Sequence, residues 1–281
     1  MISSRPDLAA VLAFGIAAFC TALVVPIVRR AGLRWGLIDQ PDSRKQHTTP
    51  MVRLGGVGIV GGFVIALALI WLMGGFVELP PQRDSQIWTT IAGALCFFVI
   101  GLADDLFALP PLPRLGGQVL VAMAVWSQGV QIGAIDLPFH LLGGPSGAIP
   151  LPDGLSLIAT VIWLVGITNA INWLDGLDGL AAGVSGIAAV GLLSVSYSLN
   201  QPAPGLLAAA LAGSCLGFLR HNFNPARIFM GDGGSYFLGF ALAAISIVGP
   251  AKGLTSVSLL LPLLILSLPL ADMSAVIMGR L

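Results

Sequence analysis

Few residues of this chain can do chemistry, and they fall in four groups. The run Asn169-Ala170-Ile171-Asn172-Trp173-Leu174-Asp175-Gly176-Leu177-Asp178-Gly179 sets two amides and two carboxylates three residues apart, between long apolar stretches. An ionised side chain near a bilayer costs roughly 2.5–3.5 kcal/mol at mid-helix on insertion scales, so acids at membrane depth point to function first and to a plain polar turn second. Asn and Asp suit the hydrogen bonds of a base or ribose, and Asp also suits a metal. In an ideal α-helix, steps of three residues drift by about 60°, so Asn169 and Asp178 would face opposite ways. Gly176 and Gly179 let the chain leave helical geometry here, so the four polar groups converge only if it does.

The second group is Gly101-Leu102-Ala103-Asp104-Asp105, with Arg114 following. Adjacent carboxylates at a membrane edge repel unless a cation intervenes. Mg²⁺ takes carboxylate oxygens together with substrate phosphates. The third is Arg44-Lys45-Gln46-His47, followed by Arg53-Leu54-Gly55-Gly56. Cations beside closely approached backbone amides suit a phosphate ligand, while a positive membrane anchor explains the Arg and Lys equally well. The fourth is Asn222-Phe223-Asn224-Pro225-Ala226-Arg227-Ile228-Phe229-Met230-Gly231-Asp232-Gly233-Gly234-Ser235. Asn224-Pro225 breaks the preceding helix. The glycine-rich stretch after it reads as a flexible loop whose amides approach a phosphate, with Asp232 holding a cation beside it.

The elements that position these groups are membrane spans. Of 281 residues 56% are hydrophobic and 9% charged, whereas soluble domains carry about 25% charge. The fold class is therefore all-α, a polytopic transmembrane helical bundle forming one domain over residues 1–281. Formal net charge is zero, which gives no basic field for nucleic acid. Cys20, Cys96 and Cys215 lie in apolar runs without metal-ligand spacing and read as packing residues. Nine spans of suitable length are predicted: 8–28, 55–74, 86–103, 116–132, 155–171, 180–198, 205–220, 235–249 and 254–272. Segments 132–139 and 147–151 are a candidate short hairpin between two of them. His140 and His221 read as structural.

Lys and Arg in short loops orient the bundle. With the N-terminus outside, Arg29, Arg30, Arg34, Arg44, Lys45, Arg53, Arg114, Arg220, Arg227 and Arg280 are cytoplasmic, and only Arg5, Arg83 and Lys252 are outside. The same topology puts Asp104, Asp105, Asp175, Asp178, Asp232 and Asp272 on the cytoplasmic face, although acids played no part in orienting it. A transporter or lipid flippase is the rival reading. It predicts ionisable groups at mid-span and an inverted repeat, and the sequence has neither.

In this order and at these spacings, the motifs resemble those of the polyprenyl-phosphate N-acetylhexosamine-1-phosphate transferases. The resemblance runs from about residue 29 to the C-terminus. It rests on the paired-acid motif at 101–105, the Asn-rich Asp-Gly motif at 169–183 and the Pro-Ala-x-x-Phe-Met-Gly-Asp-x-Gly-Ser motif within 223–239. It implies transfer of an N-acetylhexosamine-1-phosphate, GlcNAc-1-phosphate first among candidates, from a UDP-sugar to polyprenyl phosphate such as undecaprenyl phosphate. UMP is released, at the cytoplasmic face of a bacterial inner membrane. It also implies Mg²⁺, or Mn²⁺ in its place, and a homodimer in some members. By the same resemblance Asp232 would ligate the cation, and Asn172, Asp175, Asp178 and Gly231 would line the nucleotide-sugar site. Asp104 and Asp105 would handle the lipid phosphate or the metal. Lys45, His47, Arg53, Arg114 and Arg227 would bind phosphate or substrate. Arg114 stands where many members carry Lys, which keeps the charge. The pattern is nearer to the enzymes that begin lipopolysaccharide, teichoic acid or other envelope glycans than to the muramoyl-pentapeptide branch. Family members have ten or eleven spans and a His-rich H-x-H-H type motif beyond the region of Asp272. The sequence to Leu281 is therefore expected to stop short of that motif, as a fragment or as a non-catalytic relative.

Overall fold

Eight long helices, all but one apolar enough over their length to cross a bilayer, account for most of the described chain. The computed structural model describes residues 5–39, 50–76, 81–135 and 149–249. In chain order they form α1 (Pro6–Trp35), β1 (Ile38–Asp39), β2 (Met51–Val52), α2 (Gly55–Leu72), α3 (Pro81–Phe107), α4 (Pro111–Ser127), β3 (Ala134–Ile135), β4 (Ile149–Pro150), α5 (Asp153–Leu174), α6 (Leu180–Ser198), α7 (Pro202–Asn222) and α8 (Gly231–Val248). Seven of these helices are long and apolar enough to span; α4, at 17 residues, lies at the short end of the spanning range. The predicted span 254–272 lies outside the described residues.

Several helix ends differ from the sequence expectation, and α3, α4 and α8 each lengthen at the end that carries a polar motif. α3 continues to Phe107, so Asp104 and Asp105 sit in its last turn rather than beyond it. α4 begins at Pro111, so Arg114 is helical. Residues 231–235, expected as a flexible loop, are instead the first turn of α8. The cause is hydrogen bonding: the exposed amides that would make a loop polar are met by partners from neighbouring helices, described below. Between α4 and α5 an antiparallel pair sets Ala134 opposite Pro150 and Ile135 opposite Ile149; the rest of the predicted hairpin, within 136–148, lies outside the described residues. A second pair, Ile38–Val52 and Asp39–Met51, joins the end of α1 to the start of α2.

α8 and α7 form the centre. Nearly all of α8 and most of α7 are buried, against about a third of α1 and α3. α3 and α5 pack on α8, α1 and α6 pack on α7, and α2 lies against α1. Lipid tails are as apolar as Leu, so helices in a bilayer gain from close van der Waals approach rather than from leaving water. Glycine supplies that approach. A Cβ on Gly213 or Gly217 of α7 would run into the Phe14 or Ala18 carbonyl of α1. Large rings fill the remaining core, with Phe97 on Phe240 at 4.5 Å and Phe63 edge-on to Phe237 at 5.2 Å. The three cysteines are free. His221 is tied to the Ala22 carbonyl at 3.0 Å, a structural role.

Glycines inside helices therefore divide into two kinds with opposite substitution effects. Gly213→Ala should destabilise the purified protein by about 1–3 kcal/mol through overpacking of α1 on α7. Gly15 has nothing within 4 Å of its would-be Cβ, so Gly15→Ala should be neutral or stabilise by up to about 1 kcal/mol. Thermal melts of the two variants in detergent check both signs.

Candidate active site

The polar groups meet where α3 and α5 end and α4 and α8 begin. Asp105, at the end of α3, accepts the backbone N–H groups of Asp232 and Gly233, both at 2.9 Å. It thereby meets two of the four donors that any helix N-terminus leaves unpaired, with the favourable sign for the helix dipole. Close approach makes this bond reachable. A Cβ on Gly101 would collide with the Asp232 carbonyl, and one on Gly56 with the Gly234 backbone. Gly231 has φ +76° and lies against Asp105 and the Arg53 carbonyl, so only glycine fits there.

Asp232 projects from this first turn into a set of donors. Asn172 Nδ2 donates to it at 2.8 Å and also to Ser235 Oγ at 3.0 Å. Arg114 pairs with Asp232 at 3.5 Å and makes a closer pair with Asp104. The Asp104 and Asp232 carboxyl groups lie within hydrogen-bonding reach of each other, with the guanidinium across both. Arg53 approaches Asp232 at 3.8 Å from a half-exposed position. It is brought there by a run of backbone bonds between residues 52–56 and 229–230: Phe229 N–H to Val52 O, Gly55 N–H to Phe229 O, and Gly56 N–H to Met230 O.

Two sequence expectations change here. The amides of Gly55 and Gly56 are given to the Phe229 and Met230 carbonyls, and those of Asp232 and Gly233 to Asp105. Neither glycine-rich stretch keeps these amides free for a phosphate; the glycines serve close helix approach instead. The motif at 169–179 leaves helical geometry as expected, but its four polar groups part: Asn172 meets Asp232, Asn169 meets Gln118 and Asp178 meets the loop after α7. α5 carries Asn169 and Asn172 and ends at Leu174, and the chain then turns through Asp175 to Gly179, whose φ is +75°. Gly176 needs no such backbone.

The remaining predicted residues take distinct places. Asp178 accepts from Asn224 Nδ2 at 3.2 Å and from the Ala226 N–H at 2.9 Å, holding the loop between α7 and α8. Asn222 completes that clamp, accepting the Gly179 N–H and donating to the Ile228 carbonyl, both at 3.0 Å. Arg227 has an exposed side chain, and its carbonyl accepts from Arg29 Nε at 2.8 Å. Lys45 and His47 lie outside the described residues. Gln118 and Tyr236, which sequence reasoning passed over, line the site one turn deeper; their signal is a spacing of four from Arg114 and from Asp232.

Among the described residues no three His, Cys, Asp or Glu side chains are arranged to enclose a metal. Mg²⁺ commonly needs fewer: one or two carboxylates, with waters and substrate phosphates completing its octahedron. Asp232 and Asp104, close together across one guanidinium, match that donor set. Asp175 stands just outside the span. Loss of solvent, then the charge of Asp232 and of Asp105, pushes its carboxyl well above the usual carboxylate range, with Arg53 and the Gly231 N–H opposing.

A chain with this bundle and this cluster is a polytopic membrane protein whose polar machinery sits at one end of its helices. Residues 87–250 match the profile of glycosyl transferase family 4. A probable undecaprenyl-phosphate N-acetylglucosaminyl 1-phosphate transferase of Bacillus subtilis is 35% identical over 273 residues, covering 96% of this chain and 71% of that protein. A decaprenyl-phosphate N-acetylglucosaminephosphotransferase of Mycobacterium tuberculosis is 36% identical over 242 residues, covering 82% of this chain and 58% of that protein. This chain thus spans less than two thirds of the mycobacterial protein's length. A phospho-N-acetylmuramoyl-pentapeptide-transferase of Clostridium perfringens is 31% identical over 259 residues, covering 88% and 75%. The chain belongs to glycosyl transferase family 4.

The raised Asp175 carboxyl gives a signed prediction. A carboxyl whose folded pKa lies above its unfolded value of 3.8 costs stability progressively as pH rises above 3.8. Asp175→Asn removes that cost. It should melt at a higher temperature than the parent near neutral pH, and the gap should close below 3.8. Parallel melts across pH check this, and a variant that melts lower at neutral pH contradicts it.

Proposed function

We propose that the protein transfers N-acetylglucosamine-1-phosphate from a UDP-sugar to polyprenyl phosphate at the cytoplasmic face of a bacterial plasma membrane. The product begins a cell-envelope glycan of the lipopolysaccharide or teichoic acid kind. The observation that carries this reading is Arg114 lying across Asp104 and Asp232 at the ends of spans, with Asn172 fixing Asp232. One cation and paired acids at the membrane edge form a site able to take phosphate groups from the aqueous side and from lipid. The names of the relatives support the polyprenyl phosphate and N-acetylglucosaminyl phosphate classes; the UDP donor comes from the resemblance of the motifs.

The reaction asks little covalent work of the protein. An oxygen of the lipid phosphate attacks the sugar-linked phosphorus. The bond from that phosphorus to the bridging oxygen breaks, and UMP leaves with that oxygen, giving a lipid diphosphate sugar. A phosphate monoester is largely ionised at neutral pH (second pKa near 6), so no general base is required. Catalysis of this kind rests on positioning and charge stabilisation. Arg114 can exchange its bonds to Asp104 and Asp232 for phosphate oxygens, and Arg53 can follow from its exposed position. Asp232, with Asp104 beside it, would hold Mg²⁺ (or Mn²⁺), which offsets pyrophosphate charge when bound. In this reading Asp175 and the clamp formed by Asn222 and Asp178 flank the nucleotide. Asp105 is spent on α8 and acts by holding Asp232 in place.

The test uses the full-length protein with UDP-GlcNAc, undecaprenyl phosphate and Mg²⁺. UMP should form, and Asp232→Ala should lose about 10²–10³-fold or more in turnover. A parent protein that binds both substrates and yields no UMP overturns the reading. Full activity in Asp232→Ala overturns the cation assignment alone.

A further inference from the structure

The site has a second polar layer. Gln118 follows Arg114 by four residues on α4, Tyr236 follows Asp232 by four on α8, and Asn169 precedes Asn172 by three on α5. Each pair therefore shares a helix face, one turn of about 5.4 Å apart. The outer layer is Arg114, Asp232 and Asn172. The inner layer is Gln118, Tyr236 and Asn169, deeper in the bundle and uncharged.

Bonding within the inner layer has a direction. Asn169 Nδ2 donates to Gln118 Oε1 at 2.8 Å and to the Val165 carbonyl at 2.8 Å. This fixes the Gln118 amide with its NH₂ turned away from Asn169. Gln118 is 1% exposed and Tyr236 is fully buried, yet neither Gln118 Nε2 nor Tyr236 Oη has a hydrogen-bond partner. The two face each other without reaching normal bonding geometry. Side chains on a helix lean toward its N-terminus. The N-termini of α4 and α8 are both at the polar mouth, so both unmet groups lean toward the Arg114–Asp232 pair. The charged groups around the phenol are Asp232 and Asp104, which accept, and Arg114, which cannot.

An unmet polar group inside a membrane bundle is costly, and two side by side call for a reason. A packing role is served better by Phe and Leu. We infer that Tyr236 is a positioning residue of the site: backed by Gln118 and Asn169, its phenol donates to the inner edge of the Asp232 carboxylate and holds it when substrate draws Arg114 away. This rests on the proposed phosphosugar transfer. Arg114 is the one cation bonded to both acids among the described residues, and it is also the group best placed to meet an incoming phosphate. Once it moves, and the half-exposed Arg53 turns to phosphate with it, Asp232 keeps Asn172 on one side and needs a donor on the other.

Tyr236→Phe separates this role from packing, because the chain has a second tyrosine as a control. Tyr197 donates to the Pro6 carbonyl at 2.7 Å, toward the opposite end of the bundle. Tyr236→Phe should leave the melting temperature within about 2 °C of the parent or raise it, since no existing bond is lost. It should lower kcat and the affinity for Mn²⁺ with UDP by about 10–100-fold, the usual loss when a group supporting a ligand is removed. KM for UDP-GlcNAc should change little. Gln118→Leu should show the same pattern, more weakly. Tyr197→Phe should do the reverse, lowering the melting temperature by about 2–4 °C with kcat and Mn²⁺ affinity unchanged. Mn²⁺ binding is read by electron paramagnetic resonance and turnover by UMP release. If Tyr236→Phe keeps the parent's kcat and Mn²⁺ affinity within twofold, the positioning role is overturned while the transfer reading stands. A parent that neither binds Mn²⁺ with UDP nor releases UMP overturns both.

Discussion

The bond from Asp105 to the first amides of α8 is the constraint on which the site depends. A helix that begins within a bundle leaves unpaired N–H groups, and in the absence of water each must find an acceptor in the protein. Here a carboxylate on a different helix supplies it, so the end of α3 and the start of α8 cannot move independently. Asp104 is the preceding residue on α3, and Asp232 is one of the two capped residues on α8. One backbone interaction therefore fixes the relative position of the two acids that share Arg114. The same bond explains the glycines: Gly101 and Gly231 lie where a Cβ would keep the carboxylate from the amides.

Around that anchor the bundle is arranged in order of constraint. α8 carries Asp232 and is the most enclosed helix, packed by α3 and α5, the helices that bring Asp104, Asp105 and Asn172. Segment 52–56 is bonded along 229–230 and carries Arg53, the more exposed cation. The loop held by Asn222 and Asp178 comes next, and its clamp is made of neutral amides and one carboxylate. Rigid groups thus lie at the carboxylates and adjustable ones at the rim. The proposed transfer, with a charged donor from water and a lipid acceptor from the side, would call for that gradient.

Much of this was legible in the sequence, for physical reasons that differ by element. Apolar run length located every described spanning helix, because the bilayer sets it. Charge bias and span parity predicted that the four motifs share one face; among the described residues the structure brings Asp104, Asp232, Asn172 and Arg114 together, with Arg53 beside them. What escaped was the polar end of α3, α4 and α8. Arg114 and Asp232 were placed before the starts of spans at 116 and 235, since hydropathy cannot show that a polar turn has its amides capped by a distant carboxylate. That shift of a few residues also hid Gln118 and Tyr236, whose spacing of four means something only if the helix already includes Arg114 and Asp232. The roles of Asp105 and Asp178 were likewise out of reach: a carboxylate that caps a helix and one that meets a cation look alike in a motif.

The two adjacent acids show how far apart such neighbours can stand. Successive residues on a helix are about 100° apart, so Asp104 and Asp105 meet different groups, Asp105 the backbone of Asp232 and Asp104 its side chain. Asp105 turns to α8 and has both oxygens committed to backbone amides, a fixed electrostatic task that a substrate does not alter. Asp104 turns to Arg114, a bond that a phosphate can replace. The pair is therefore a division between holding and exchanging, with the helix setting the angle between them. Any reaction at this site works through the exchanging side, on a geometry that the holding side has already fixed.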